Sequence, residues 1–250
     1  MDYSAPLIPG VLLRRYKRFL ADVRLDDGRE VVAHCPNTGS MRAVNVPGCR
    51  VWLAPSDDPR RKLAWTWELI ELPRPGGGVA LASVHTGRTN RIVEEALAAG
   101  GIEELAGAGA VRREARVAGP PPARLDFRLG DGDGAATYVE VKQVTLREAD
   151  GHGYFPDAVS ARGRKHLETL AELAAAGHRA VLLFCVAHED IAGVSPADHL
   201  DPAYAATLRR VAARGVEVLA RGCRFARDAG RPRAVALGEA LPVDLERRLA

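Results

Sequence analysis

The residues of this chain best suited to chemistry are two carboxylates and a lysine. In the stretch Arg124–Leu146, RLDFRLGDGDGAATYVEVKQVTL, Asp126 lies in the short run Leu125–Leu129, and Glu140 and Lys142 lie in the run Tyr138–Thr145. Side chains alternate faces along a strand, so Glu140 and Lys142, two positions apart, share one face. The Gly- and Asp-rich insert between the runs is a hairpin signal, and pairing of the two strands brings Asp126 to the same face. Two carboxylates that close repel unless a cation sits between them. Mg²⁺ or Mn²⁺ suits the position, because Mg²⁺ keeps several waters and one Asp, one Glu and a backbone carbonyl suffice as protein ligands. A lysine beside such a metal can orient a water and stabilise negative charge developing on a phosphate. The expected chemistry is metal-assisted phosphodiester hydrolysis, with Asp126 and Glu140 as ligands and Lys142 as the water-orienting group.

An Asp followed by Glu-x-Lys on the next strand resembles the active-site core of the PD-(D/E)xK nuclease superfamily. The same spacing also arises in a strand pair whose charges simply face solvent, so the elements that would position these residues matter. Up to about residue 82 the chain reads as all-β. Phe19–Leu25, Glu30–His34, Arg50–Ala54 and Ala64–Leu72 are short β-prone segments separated by Asp26-Asp27-Gly28, Pro36-Asn37-Thr38-Gly39 and Pro47-Gly48. Strands at that spacing predict a small barrel; a five-stranded oligonucleotide-binding (OB) barrel fits the size, and an SH3-like one fits the count. Tyr16, Phe19, Trp52, Trp65 and Trp67 could stack nucleobases on it. Residues of these types are more often core.

From residue 83 to 250 the pattern turns α/β. Thr89 or Asn90 is a candidate cap for a helix bearing Ile92, Val93, Ala96 and Leu97 and ending at Gly100-Gly101. Ser160 opens a second helix, through Ala176. Val181–Val186 is an apolar run expected of a strand covered on both faces. Asp201-Pro202 opens a third helix, Gly215 stops it, and the strand Val216–Ala220 follows, which implies a parallel pair with a crossover helix. The expected fold is α/β, or α+β overall: an OB-like barrel over 1–82 and a nuclease-like domain over 83–250.

Composition bounds the partners. The chain has 250 residues and a net charge of +3, too little to establish a polyanion partner. The cations cluster, however, at Arg14–Arg18, at Arg60–Lys62 and at Arg162–His166, as local phosphate-binding patches do. Part of the arginine richness is also what a biased genome composition would produce. His34-Cys35 faces two ways on a strand and has no further Cys/His pair to complete a zinc set. The adjoining Asn37, Thr38, Gly39 and Ser40 offer hydroxyls and backbone amides that suit a phosphate or a cleft wall. Arg15, Lys17, Arg18, Asn37, Thr38, Ser40, Arg162, Arg164 and Lys165 are therefore the candidate nucleic-acid contacts, with weak sequence preference. The four cysteines form no CxxC pair and read as free thiols. No apolar run approaches the ~20 residues needed to span a bilayer, and the N-terminus lacks a secretion signal, so a cytoplasmic protein is expected. Oligomeric state is open, a homodimer included.

The motifs RYKRFLADV, AHCPNTGSMR, RKLAWTWEL, NRIVEEAL, RLDF, YVEVKQVTL, FPDAVSARGRKHLETL and GVEVLA together resemble the sugar fermentation stimulation protein family, SfsA, over nearly the whole chain. The resemblance implies an N-terminal OB barrel, a PD-(D/E)xK-like C-terminal domain, DNA binding and a regulatory role in sugar metabolism. It also implies a metal site at Asp126, Glu140 and Lys142, with Glu95 as a helix-borne carboxylate. The chain departs from the family in having Ala187-His188 where Gln-Arg is usual, and in a proline-rich loop over Ala118–Ala123. Two alternatives stand beside the nuclease: a non-catalytic DNA-binding regulator with a nuclease-like fold, and a small-molecule or protein-interaction module.

Overall fold

The computed structural model describes residues 1–117, 122–132 and 134–249. Five strands, β1 (Ile8–Tyr16), β2 (Leu20–Leu25), β3 (Glu30–His34), β4 (Arg50–Pro55) and β5 (Trp65–Pro73), close into a barrel. Closure comes from a parallel contact of β3 with β5, Ala33 opposite Trp65 and His34 opposite Thr66. β6 (Val79–Ser83) continues from β5 as a hairpin. Leu12, Ala21, Val23, Ala33, Val51, Leu53 and Trp67 fill the barrel, all with no solvent exposure. Trp67 Nε1 donates to the Leu69 carbonyl and Trp52 Nε1 to Glu71, each at 2.9 Å. These two indoles are buried with their N–H groups satisfied, so they are core residues and not stacking surfaces.

The second domain is a six-stranded sheet. Its elements in chain order are α1 (Thr86–Ala98), β7 (Val111–Val117), β8 (Ala123–Leu129), β9 (Thr137–Val144), β10 (Leu146–Arg147), β11 (Gly153–Phe155), α2 (Ala161–Ala175), β12 (Arg179–Val186), β13 (Val194–Pro196), α3 (Pro202–Ala212), β14 (Glu217–Asp228) and β15 (Arg231–Ala240). The sheet runs β15-β14-β12-β9-β8-β7, and β10, β11 and β13 form a small separate sheet. β9, β12 and β14 are parallel, crossed over by α2 and α3, while the flanking pairs are antiparallel. β14 runs past the expected end at Ala220 because Ala229 (φ 46) and Gly230 (φ 79) make a tight reversal into β15. Positive φ at both central residues is what a two-residue hairpin turn requires.

Two apolar layers sandwich this sheet. α1 supplies Ile92 and Val93 to the layer holding Phe127, Val139, Val141, Val181 and Leu183, which is continuous with Leu7, Trp52, Leu69 and Leu81 from the first 82 residues. α2 and α3 supply Leu167, Leu170, Tyr204 and Leu208 to the opposite layer, with Val144, Leu182 and Phe184. The barrel is therefore fused to the sheet by a shared core. Backbone pairing adds to this: Ser83 N donates to the Ala187 carbonyl at 2.8 Å and Glu189 N to the Leu81 carbonyl at 3.0 Å. Residues Met1 to Tyr3 lie along β15, with Tyr3 N donating to Arg233 and Val235 N to Met1, so the first residues pair with the second sheet although they precede the barrel. Among the described residues no helix is long and apolar enough to cross a membrane.

Candidate functional site

A cleft of about 670 Å³ lies where the barrel meets the sheet. Asp126, Glu140 and Lys142 line it, together with Asn37, Thr38 and Gly39 from the barrel, Thr86, Thr89 and Asn90 from α1, and Arg162 and His166 from α2. The antiparallel β8–β9 ladder ends at Phe127 opposite Val139. Beyond it the strands part, and the Asp126 carboxylate takes over as acceptor: Val141 N donates to Oδ2 at 2.8 Å and Asn90 Nδ2 donates to Oδ1 at 2.7 Å. Val139 and Val141 face the α1 layer, so the alternation of β9 turns Glu140 and Lys142 the other way, toward α2.

Glu140 is 2 % exposed. Its Oε1 accepts from Lys142 Nζ at 2.5 Å and from His166 Nδ1, while its Oε2 is buried without a hydrogen-bond partner. Burial pushes Glu140 up, but the His166 hydrogen bond and the Lys142 charge outweigh it and hold the carboxyl below the usual carboxylate range. Asp126 goes the other way, raised by burial first and by the charge of Glu140 second. The two neighbouring acids shift in opposite directions because Lys142 and His166 bond Glu140, whereas the donors to Asp126 are the neutral Val141 N and Asn90 Nδ2.

The other sequence candidates divide. Glu95 does not reach the cleft: its carboxylate pairs with the Met1 amino group at 2.7 Å and with Arg91 at 3.0 Å. It lies five residues beyond Asn90, and at about 100° per residue that turns it well away from the face that meets Asp126. Arg164 pairs with the buried Asp201 at 3.2 Å, and Lys165 is exposed outside the cleft lining. Arg162 lines the cleft with no carboxylate within ion-pair distance among the described residues. Arg15 is committed to structure, its Nη2 donating to the carbonyls of Asn37 at 2.8 Å and Gly39 at 3.0 Å. Ser40 is likewise engaged, with Oγ donating to Asp157 Oδ2 at 2.8 Å. Lys17 and Arg18 stand exposed in the β1–β2 turn. Asn37 and Thr38 do face the cleft.

Four contributors escaped the sequence reading. Thr89 and Asn90 are not caps, because α1 starts earlier, at Thr86 with His85 before it. Thr89 instead bonds Gln143 at 3.2 Å. Asp157 also accepts from Met41 N, at 3.0 Å, and so fastens the Asn37–Ser40 loop over the site. His166, grouped by sequence with the phosphate-gripping cations, is the partner of Glu140. Polar residues at the start of an otherwise apolar-striped helix were the available signal for Thr89 and Asn90. Ala187 and His188 are buried, and neither lines the cleft. Of the proline-rich loop Ala118–Ala123, residues 118–121 fall outside the described residues.

The residues present fit a divalent cation. An orphaned buried carboxylate oxygen on Glu140 and the half-buried Asp126 are hard oxygen donors. Among the described residues no three His, Cys, Asp or Glu side chains group as a ready cage.

Residues 87–229 match the family model described as "Sugar fermentation stimulation protein RE domain", and residues 13–81 the one described as "SfsA N-terminal OB domain". A sugar fermentation stimulation protein homolog of Chromohalobacter salexigens is 68 % identical over 100 % of this chain and 97 % of its own length. One from Thioalkalivibrio sulfidiphilus is 51 % identical over 99 % of each chain. The solved structure "The structure of Pyrococcus Furiosus SfsA in complex with Ca2+" aligns with a TM-score of 0.82 at 28 % identity, covering 98 % of both chains. With an OB barrel and a second sheet domain each matched in order and relatives matched end to end, the chain belongs to the sugar fermentation stimulation protein family, SfsA.

Proposed function

We propose that this protein is a divalent-cation-dependent phosphodiesterase acting on nucleic acid, DNA first, at Asp126, Glu140 and Lys142. The observation that carries the reading is Glu140 Oε2, buried and unpartnered in a cleft that also holds Asp126, Lys142 and Arg162, whose Nε donates to His166 Nε2 at 3.4 Å. That the related Pyrococcus furiosus protein was solved with Ca²⁺ supports a cation here. Asp126 and Glu140 would hold it, and when bound it would supply charge stabilisation at a phosphoryl oxygen and a more acidic water. Lys142, on the same strand face as Glu140, turns to a phosphate oxygen once an anion enters and offsets the charge that develops there. Asn90 fixes the Asp126 carboxylate, and Arg162 and Thr38 position the backbone. Purified protein with Mg²⁺ or Mn²⁺ should cut at least one of single-stranded DNA, duplex DNA or RNA. Lys142→Ala should slow cleavage by about two orders of magnitude or more while changing affinity far less. No cleavage of any of the three by the unmodified protein overturns the reading.

A second reading is a non-catalytic DNA-binding regulator of sugar metabolism that acts by occupying DNA. It is favoured by the cluster at Glu140, where the Lys142 ammonium and the His166 hydrogen bond already engage one carboxylate oxygen without a metal. It is the reading left standing if nucleic acid binds and is not cut.

A further inference from the structure

The β1–β2 turn carries a half-exposed aromatic. Phe19 is 48 % exposed, the only aromatic among the exposed large hydrophobic residues of the described chain. Its neighbours Lys17 (φ 47) and Arg18 (φ 66) hold left-handed backbone conformations that L side chains seldom adopt. Neither is within ion-pair distance of a carboxylate among the described residues. A flat apolar face flanked by two free cations matches a nucleobase joined to a phosphate backbone, because every base has a π-face and every linkage a charge. The other aromatics weighed as stackers differ: Trp52 and Trp67 are buried, Trp65 is half-buried and packed against the barrel core, and the Tyr16 ring already lies under Arg14, 4.9 Å from its guanidinium carbon.

The turn is also tied to the cleft. The Phe19 carbonyl accepts from Cys35 N at 2.8 Å, and Cys35 is two residues before Asn37, at most about 7 Å along an extended chain. Arg15, in the strand leading into the turn, holds the carbonyls of Asn37 and Gly39, and Asp157 holds Ser40 and Met41 from the other side. The backbone at Phe19 and the cleft wall at Asn37 are thus parts of one braced unit. A duplex hides the faces of its bases and cannot use such a platform.

We infer that Phe19, with Lys17 and Arg18, is a base-stacking platform that receives single-stranded nucleic acid and passes it toward the cleft at Asn37 and Thr38. The inference rests on the nucleic-acid reading above and adds the strand class and the entry point. The test is fluorescence anisotropy in EDTA, so that nothing is cut, with a labelled oligothymidylate and a duplex of equal length. The unmodified protein should prefer the single strand. Phe19→Ala should weaken single-strand binding by roughly five- to a hundredfold, as loss of one stacked base does. Phe19→Trp should retain it, and duplex binding should not change. Phe19 is exposed, so an unchanged thermal melt of both variants shows that the fold is intact. Single-strand affinity unmoved in Phe19→Ala, or a preference for duplex, overturns the platform, whereas the cleavage assay with Lys142→Ala judges the active site separately. Binding of neither probe by the unmodified protein overturns the platform and the nucleic-acid reading together.

Discussion

At Glu140 one oxygen accepts from both Lys142 and His166, and the other is buried without a hydrogen-bond partner. An orphaned buried acceptor ordinarily costs stability, about 1–3 kcal/mol, and the arrangement is intelligible if a cation occupies the space between it and Asp126. Asp126 is itself raised by burial and by the charge of Glu140, so two negative charges there work against the fold until they are neutralised. Mg²⁺ or Mn²⁺ should therefore raise the melting temperature, following RT ln(1 + [L]/Kd). Asp126→Asn removes one ligand charge while keeping an oxygen to accept from Val141 N, and it should abolish most of that gain. Calorimetry at millimolar metal reads the effect; no divalent-ion response in the unmodified protein would mean that the pair holds no such ion.

Among the elements, α2 brings His166 and Arg162 to the cleft, and its start is held by a buried carboxylate from the start of α3. Asp201, 2 % exposed, accepts from Tyr204 N at 2.9 Å as the cap of its own helix and from Ser160 N at 2.7 Å. It also pairs with Arg164 at 3.2 Å. Ser160 in turn caps α2 by accepting from Gly163 N at 3.2 Å. Residue 163 must be glycine for the two helices to meet: a Cβ there would lie 2.6 Å from Ser160 Oγ and 3.0 Å from the Tyr204 ring. Asp201→Ala removes a cap and leaves Arg164 unpaired, so we expect a loss of about 3 kcal/mol or more. In a chain of this size that lowers the melting temperature by roughly 6–12 °C, and a thermal melt checks it. Displacement of α2 should reduce the proposed cleavage as well, although Asp201 is not in the cleft lining.

The whole molecule sets the charge that a polyanion meets. Of the Arg162–Lys165 cluster, only Arg162 lines the cleft, which separates two variants that look alike in sequence. Arg162→Ala should lower the log–log salt slope of duplex binding by about one and weaken all sequences equally. Arg164→Ala should instead lower stability and leave the slope alone. Titrations of binding against salt decide between them; equal slope changes would place both on the backbone. The junction of barrel and sheet responds to pH through His188, which is 4 % exposed and pushed down to about 4, chiefly by burial. Its neutral Nδ1 accepts from Asp190 N at 3.0 Å. The unfolded chain keeps a histidine near the ordinary value of about 6.5, so between the two values it binds more protons than the folded chain. Stability contributed by His188 is present above about pH 6.5 and is lost as pH falls toward 4, by about 3 kcal/mol in full. His188→Gln should flatten that part of the pH dependence, measured by denaturant melts at about pH 7 and about pH 4.5.

Periodicity and punctuation made much of this architecture legible. The strand Glu30–His34, the Ser160 and Asp201 caps, the crossover after Val186 and the shared face of Glu140 and Lys142 all follow from interactions within a few residues, where spacing in the chain is spacing in space. The Asp126–Glu140–Lys142 set was readable because a hairpin makes distant numbers neighbours. What the sequence left undecided is what long-range packing decides. Glu95 and Asn90 share one helix and differ only in which way they point once α1 docks. Arg162 and Arg164 differ only by whether Asp201 arrives beside them. Trp67 and Phe19 are both aromatic on one barrel, and only closure through β3 and β5 puts the first inside and leaves the second in solvent. Asp157 on Ser40 and His166 on Glu140 join residues 117 and 26 positions apart, and no local rule reaches that far. The physical reason is shared: a side chain has several partners or positions of nearly equal worth, and tertiary structure selects one by removing the others from reach.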